Sequence, residues 1–218
     1  AFGWLGLLCW RALQLALLLL ALVLILLLIL RFVPPPTTAF MLQSPYPVQQ
    51  QWIDIAQLPP HVPLALVASE DQRFPQHFGV DIDEIRNALE RFDDGGGLRG
   101  ASTISQQTAK NVFLWNGRSY VRKGLEAIFT FIIEKVWSKD IILERYLNSI
   151  EMGQGVFGVE AASHYYFGKS SADLTKSEAA WIAVCLPNPK KYDPKNPSSY
   201  LSRKHSWVMR QMNYVNLE

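Results

Sequence analysis

The feature that most constrains how this chain can fold is an uninterrupted apolar stretch near its N-terminus. Residues 12–30 contain no charged side chain, and Gln14 is their one polar side chain. A helix rises about 1.5 Å per residue, so this stretch extends roughly 29 Å, the thickness of the hydrocarbon core of a bilayer. The sequence therefore predicts a single N-terminal transmembrane helix, and we assign residues 1–33 as a membrane anchor.

Two other structures explain the same stretch less well. A core helix this uniformly apolar needs apolar neighbours on all sides, which a domain of this size cannot supply. The apolar region of a cleavable signal peptide usually has about 7 to 15 residues. Arg11 and Arg31 flank the stretch symmetrically, so the flanking charges do not set its orientation. From the length of the C-terminal part, we expect that residues 35–218 are exported.

The rest of the chain reads as a connector followed by one domain. Three prolines at 34–36 end the apolar helix, because proline cannot continue it. Residues 34–63 are polar and rich in proline, and residues 64–218 are long enough to bury one core. The net charge of +2 is far from the basic excess of proteins that neutralise nucleic-acid phosphates, so no nucleic-acid partner is expected.

From residue 64 onward the apolar residues recur with helical spacing almost throughout, and no run alternates like a strand over more than a few residues. The fold class is therefore predicted to be mainly α. A short helix is expected near residues 52–58, a helix leads into Glu70, and further helices are predicted at residues 80–92, 103–113, 120–137, 139–150, 159–167, 176–186 and 201–214. In the 120–137 helix, the apolar positions are 125, 128, 129, 132, 133 and 136.

The segment DDGGGLRG, residues 93–100, separates two of these helices. Its consecutive glycines predict a surface loop. The spacing of its glycines is that of a phosphate-binding loop, but Ala101 occupies the position that requires lysine, and we reject that interpretation. Thr103, with Gln106 three residues later, predicts a capping box that begins the next helix.

Glu70 and Asp71 are adjacent carboxylates at the end of a predicted helix. Like charges raise the pKa of one member of such a pair, and a carboxylate with a raised pKa can act as a general base near neutral pH. A helix cap or a solvated surface pair explains the residues equally well. Arg73 and His77 are then ordinary ionic partners, and Phe74 and Phe78 belong to the core.

Gln106, Gln107 and Lys110 are spaced to share one helix face, where two amides and an ammonium could hold a sugar or a phosphate. A solvated polar face is the plainer alternative. Three more cations follow in sequence: Arg118, Arg122 and Lys123. Arg122 precedes Glu126 by one turn, which is also the spacing of an ordinary helix-stabilising ion pair.

Five motifs follow one another along residues 68–194. They are Glu70-Asp71-x-x-Phe74-x-x-His77-x-Gly79-x-Asp81; Gly100-Ala101-Ser102-Thr103-Ile104-Ser105-Gln106-Gln107 with Lys110-Asn111; Arg122-Lys123-x-x-Glu126; ILERYLNSIEMGQGVFGVEAASHYYFGK; and SEAAWIAVCLPNPKKYDP. In this order they resemble the motifs of the peptidoglycan glycosyltransferases of family 51.

The resemblance implies a lysozyme-like, mainly helical glycosyltransferase domain with a smaller membrane-proximal lobe. It implies an enzyme that polymerises lipid II into linear β-1,4 glycan strands by an inverting single displacement, with release of polyprenyl diphosphate. Glu70 is then the general base on the acceptor hydroxyl, and Glu126 lies near the leaving group. The resemblance assigns substrate binding to Asp71, Arg73, Phe74, His77, Ser102, Thr103, Gln106, Gln107, Lys110, Asn111, Arg118, Arg122 and Lys123.

The expected partners are lipid II, the growing glycan strand and membrane lipid, together with proteins of cell-wall synthesis or division. No cofactor and no protein metal site are expected, although Mg²⁺ or Mn²⁺ could help to neutralise the donor diphosphate. The resemblance implies a single-pass protein of the bacterial cytoplasmic (inner) membrane, with its catalytic domain on the outer, periplasmic face. Because only four residues follow Tyr214, we expect no transpeptidase domain.

Two other functions stay open at this point. A lysozyme-like glycan-cleaving enzyme shares the implied fold and the catalytic glutamate, but it has no use for a cluster of cations that binds a diphosphate. A membrane-anchored scaffold for cell-wall synthesis predicts partner binding without turnover. The products of incubation with lipid II separate the three functions, since they predict polymer, cleaved glycan or no reaction.

Overall fold

The computed structural model describes residues 2–93, 102–117 and 119–217. The chain forms two compact units, Ala1–Pro35 and Pro36–Glu218. The first unit is one helix, α1 (Phe2–Phe32). Its part Gly6–Phe32 has a mean hydropathy of 3.3 and is long and apolar enough to cross a membrane. The predicted apolar helix is therefore confirmed.

The second unit is mainly helical, as predicted. Its helices are α2 (Ala39–Leu42), α3 (His61–Glu70), α4 (Ile82–Asp93), α5 (Ile104–Phe113), α6 (Tyr120–Val136), α7 (Lys139–Ser149), α8 (Val159–Phe167), α9 (Lys176–Cys185) and α10 (Ser199–Gln211). The longer helices agree with the sequence prediction to within about three residues at each end. The short helix expected near residues 52–58 is a 3₁₀ turn at Ile55–Gln57.

A small sheet was not predicted. Its strands are β1 (Gln49–Gln50), β2 (Glu151–Gly153) and β3 (Val156–Phe157), in the order β1-β3-β2. β1 is parallel to β3, and β2 is antiparallel to β3. Strands of two or three residues are too short to produce a recognisable alternation of apolar and polar residues.

Two groups of packed helices position the site. α3 packs against α9 and α10, while α5 packs against α6 and α7. Small side chains allow the close approach of α3 and α9, since Ala65, Ala68, Ala179 and Ala183 are fully buried. The hydroxyl of Ser69 donates to the Ala183 carbonyl at 3.3 Å. The C-terminal ends of α3 and α9 therefore lie side by side.

The face of α6 that is buried differs from the prediction. Ile128 was assigned to the apolar face, yet its side chain is 56% exposed. Glu126 and Glu134 are buried instead. Both carboxylates form ion pairs with nearby cations, and paired charges can be buried where single ones cannot. The spacing of apolar residues therefore predicted the helix correctly, but the prediction of its buried face was wrong in part.

Asn148, on α7, attaches the segment before α3 to the domain. Its side-chain oxygen accepts from the Ile53 N–H at 2.9 Å, and its amide donates to the Ile53 carbonyl at 2.9 Å. The same amide donates to the Glu144 carbonyl at 2.9 Å. Because Asn148 is fully buried, no water replaces these bonds when the side chain is removed.

We predict that Asn148→Ala lowers the free energy of unfolding by about 2 kcal/mol or more, because it leaves the backbone N–H and carbonyl of Ile53 without their partner. Chemical denaturation followed by circular dichroism measures the change. Asn87→Ala, at an exposed position of α4, is the matched control and should change the free energy by less than about 0.5 kcal/mol. Equal effects of the two substitutions would contradict the prediction.

Candidate active site

Glu70 is the last residue of α3. Its carboxylate is half-buried and accepts a hydrogen bond from the Gln107 side-chain amide of α5 at 3.2 Å. The hydrophobic residues of α3 pack into the core, so the helix presents this carboxylate from a rigid support. Gln107 was predicted to bind substrate, and here it also orients Glu70.

The pKa of Glu70 is raised, mainly because protein atoms replace its solvating water. The sequence predicted a raised pKa in this pair but attributed it to repulsion by Asp71, which is the weakest of the causes identified. The positive charge of Lys204 on α10 opposes the rise. Sequence analysis missed Lys204, because nothing in the spacing of residues connects α10 with the end of α3.

Asp71 points into the protein. One of its oxygens accepts from the backbone N–H of Ile104 at 2.9 Å, and Nε2 of His77 donates to the carboxylate at 2.9 Å. Ile104 is the first residue of α5, where the helix dipole favours a negative charge. The side chains of Asp71 and His77 are both almost completely buried, so they hold the site together from behind.

Arg73 and Phe74 were also predicted to bind substrate. In the structure Arg73 forms ion pairs within the protein and Phe74 is buried. The Arg73 guanidinium forms ion pairs with Asp83 at 2.6 Å and with Asp81 at 3.5 Å. Phe74 is buried in the core. In this structure the two residues fix the segment that follows Glu70.

A second buried network supports the same segment. Lys139 donates to the Glu134 carboxylate at 2.8 Å and to the His77 carbonyl at 2.7 Å. The hydroxyl of Ser105 also donates to Glu134. Sequence analysis missed Glu134 and Lys139; the signal available was a glutamate within the apolar sequence FIIEKV of α6.

The predicted capping box is present, and it is formed by two residues that were also predicted to bind substrate. Gln106 accepts from the Thr103 N–H at 3.2 Å, and Thr103 accepts from the Gln106 N–H at 3.2 Å. Asn111 is buried and donates to the Gln107 carbonyl at 2.7 Å. Ser102 is exposed just before α5. On α5, therefore, Gln107 and Lys110 extend towards the site while Gln106 does not.

Glu126 is the centre of a cluster of cations on α6. Nη1 of Arg122 lies 2.6 Å from Glu126 Oε2, and Nζ of Lys123 lies 2.5 Å from Oε1. Nε of Arg122 donates to the Gly117 carbonyl at 2.7 Å. The ordinary ion pair considered from the sequence is thus formed, and it holds two cations side by side. Arg118 lies outside the described residues, and so do residues 94–100 of the loop predicted at residues 93–100.

Lys110 lies within electrostatic range of both Glu70 and Glu126. The negative charges of Glu126 and Glu70 raise the pKa of its ammonium, and the positive charges of Arg122 and Lys123 lower it. Burial is the main reason why the pKa of Lys110 is lowered. A partly desolvated ammonium that repels its neighbouring cations gains stability from an added anion. The site therefore combines a carboxylate suited to accept a proton with cations suited to stabilise a developing negative charge.

One group of side chains has the composition of a metal site. The potential ligand atoms of Asp71, His77 and Asp81 lie within 4.8 Å of one another. Asp71 is already hydrogen-bonded to His77, and the guanidinium of Arg73 lies 3.5 Å from Asp81. A cation at that place would meet a positive charge, so we interpret the group as structural.

Comparison with known proteins agrees with this chemistry. Residues 38–213 match the sequence model of the family described as Transglycosylase. The chain is 58% identical over 211 residues, covering 97% of this chain and 90% of the relative, to a biosynthetic peptidoglycan transglycosylase of Shewanella frigidimarina (strain NCIMB 400). A protein with the same name from Marinomonas sp. (strain MWYL1) is 55% identical over 211 residues, which cover 97% of this chain and 91% of the relative. Another, from Xylella fastidiosa (strain M12), is 47% identical over 213 residues, which cover 93% of this chain and 88% of the relative.

The matches and the site together define the class of protein: the chain is a glycosyltransferase. It belongs to the transglycosylase family, and its second unit has the lysozyme-like fold of that family.

We predict that Lys204→Met raises the pKa of Glu70 further above its ordinary value, because the substitution removes a positive charge that favours the ionised form. An NMR titration of the side-chain carboxyl carbon, on the full chain in detergent micelles, measures this pKa. Lys204→Arg keeps the charge and should retain the pKa of the unsubstituted protein. Arg203→Met removes an exposed charge from the neighbouring position, and a shift as large as that of Lys204→Met would contradict the prediction.

Proposed function

We propose that this chain is a peptidoglycan glycosyltransferase that polymerises lipid II into linear β-1,4-linked glycan strands and releases polyprenyl diphosphate. The observation that carries the proposal is the combination of Glu70, Lys110 and Glu126. Glu70 has a raised pKa and interacts electrostatically with Lys110, which also interacts with Glu126 and with the two cations that Glu126 holds. The names of the three relatives support the same activity.

Glu70 acts on the acceptor. An alkyl hydroxyl is a weak nucleophile until its proton is drawn away in the transition state, and a positioned carboxylate does this. The raised pKa of Glu70 makes it a better base than an ordinary carboxylate. Its hydrogen bond with Gln107 orients the carboxylate, which we assign to the acceptor's 4-hydroxyl.

The cations act on the donor. The bond between the sugar and the diphosphate breaks with a growing negative charge on the leaving group, and fixed cations stabilise that charge. Lys110, Arg122 and Lys123 supply them. Glu126 holds two of these cations in place through its ion pairs, so we assign it a positioning role. Attack opposite the departing diphosphate inverts an α-linked donor to a β-linked product in one displacement.

A glycan-cleaving enzyme gains nothing from such a cluster, because no diphosphate leaves in that reaction. The cluster therefore favours transfer from a lipid-linked diphosphate over cleavage of finished glycan.

A divalent ion does not fit the described side chains of this site. Both oxygens of Glu126 are occupied by cations, and one oxygen of Glu70 accepts from Gln107. An ion such as Mg²⁺ or Mn²⁺, which prefers several oxygen ligands, would depend on the diphosphate of the substrate for its coordination.

Membrane association suits a substrate whose polyprenyl tail stays in the bilayer. The apolar helix α1 supplies an anchor long enough to span one. The second unit also exposes large apolar side chains around α6, among them Phe78, Val121, Ile128 and Phe131. Exposed apolar patches of this kind indicate contact with a membrane or a partner. We propose that the catalytic unit lies at the outer face of the cytoplasmic membrane.

We predict that Glu70→Gln lowers the rate of polymer formation from purified lipid II by about 100- to 10,000-fold, because an amide cannot accept the proton of the acceptor hydroxyl. Gel separation of the products from radiolabelled lipid II measures the rate. Circular dichroism should show the same helical content as in the unsubstituted protein.

Glu90→Gln is the matched control, since Glu90 is an exposed glutamate of α4, and it should retain full activity. Polymer formation by Glu70→Gln at an undiminished rate would remove Glu70 from its proposed role. Soluble fragments released from finished glycan by the unsubstituted protein would instead favour a cleaving enzyme. Partner binding without any turnover would favour a scaffold.

We predict that Lys110→Met lowers kcat for polymerisation by about 100-fold, because the leaving diphosphate loses one of its fixed cations. Initial rates at saturating lipid II give kcat. Lys176→Met removes a lysine at the start of α9 that bonds Asn213, and it should leave kcat unchanged. A Lys110→Met enzyme with normal kcat would show that the ammonium makes no contribution in the transition state.

A further inference from the structure

A second polar pocket, which the mechanism above does not use, lies next to the segment that follows α9. Its volume is about 210 Å³. It is bounded by the turn between β2 and β3, by the end of α8 and by residues 189–195. Three lysines and three tyrosines contribute to its walls: Lys190, Lys191, Lys195, Tyr165, Tyr166 and Tyr192.

The pocket keeps positive charge that the protein does not neutralise. Asp193 also lines it and offsets the charge of one lysine; its carboxylate accepts from the backbone N–H of Lys195 at 2.8 Å and from the Asn196 amide at 3.0 Å. Lys190 pairs with Glu151 at 3.3 Å. Within the described part of the chain, no acidic group or hydrogen-bond acceptor pairs with the exposed ammonium of Lys191.

The tyrosines make two walls of the pocket rigid. The rings of Tyr165 and Tyr166 meet edge to face with centroids 4.9 Å apart. Nζ of Lys195 donates to the Tyr165 carbonyl at 3.0 Å, and the Gln154 amide donates to the Lys190 carbonyl at 3.3 Å. The turn, α8 and the segment after α9 are thereby joined. Aromatic walls with a few fixed polar groups are typical of small-molecule sites.

The pocket lies at the same end of α9 as Glu70. The bond between Ser69 and the Ala183 carbonyl places the end of α3 beside the end of α9. Two residues beyond Ala183 the helix ends, and the N–H of Asn188 donates to the Cys185 carbonyl at 3.1 Å, which turns the chain into the pocket wall. Lys204 acts electrostatically on both Glu70 and Cys185. The pocket and Glu70 therefore both lie towards the C-terminal end of α9, and on this ground we assign the pocket to the acceptor.

Size limits what the pocket can hold. Pockets that enclose a whole drug-sized ligand measure about 300 to 1,000 Å³, so this smaller one accepts an end group and not a disaccharide. An anionic end group suits the lysines, because charge-assisted hydrogen bonds to a carboxylate are stronger than neutral ones. Under the proposed function the acceptor is lipid II, whose sugar carries a short peptide that ends in a carboxylate.

We infer that the pocket around Lys191 binds a carboxylate of the peptide that the acceptor lipid II carries. The inference rests on the proposed function and adds a contact that recognises the acceptor by its peptide. The contact is formed before and during the transfer, so it lowers KM without changing kcat.

The test compares two forms of lipid II, one with free peptide carboxylates and one with the same carboxylates converted to amides. We expect the unsubstituted protein to show a KM about tenfold lower for the free carboxylates, the effect of one charge-assisted hydrogen bond. Lys191→Met should lose this preference, and its kcat should stay unchanged. Lys191→Arg should keep the preference, because the charge is retained.

Arg210→Met is the control, since it removes an exposed cation from α10, and it should keep the preference. A Lys191→Met enzyme that still prefers free carboxylates would overturn the inference. A second result would also overturn it: Lys191→Met sediments more weakly with vesicles of phosphatidylglycerol, while its selectivity between the two substrates is unchanged. That result would assign the lysine to lipid headgroups. Polymerisation of both forms with equal KM by the unsubstituted protein refutes only this inference, whereas no polymer from either form refutes the proposed function.

Discussion

The carboxylate of Asp71 connects parts of the chain that are distant in sequence, and the site depends on that connection. It accepts the first N–H of α5 from Ile104 and a hydrogen bond from His77. The end of α3 is thereby fixed to the start of α5, and the neighbouring Glu70 comes within reach of Gln107. A buried carboxylate with several donors is strongly held, because leaving it without them would be costly. The residue beside the proposed base thus acts as its support.

Charge is distributed in the site so that each group is prepared for its task. Burial raises the pKa of Glu70, and Lys204 limits the rise. On the other side, Glu126 keeps Arg122 and Lys123 together despite their repulsion. In the proposed mechanism, a proton acceptor and a place for an anion are thereby held before substrate arrives, which reduces the reorganisation needed in the transition state.

Much of the fold followed from local patterns. The helix that begins after Thr103 was predicted with its capping box, because a cap needs only residues three positions apart. The strands at Gln49–Gln50 and Val156–Phe157 were missed, since their pairing is between distant segments and leaves no local pattern. Lys204 was not assigned to the site for the same reason, because no local pattern connects α10 with the end of α3. Gln106 was predicted both to cap α5 and to bind substrate, and its side-chain oxygen accepts in the cap.

The sequence by itself determined the apolar helix, the mainly helical domain and the residue types of a base and a group of cations. These depend on composition and on spacings within one or two helical turns, which the chain carries in any conformation. Only the tertiary structure decided that Asp71 faces inward, that burial contributes more than a neighbouring charge to the raised pKa of Glu70, and that the charges of Glu70 and Glu126 both act on Lys110. Desolvation and electrostatic interaction depend on distances through space, and folding alone sets those distances.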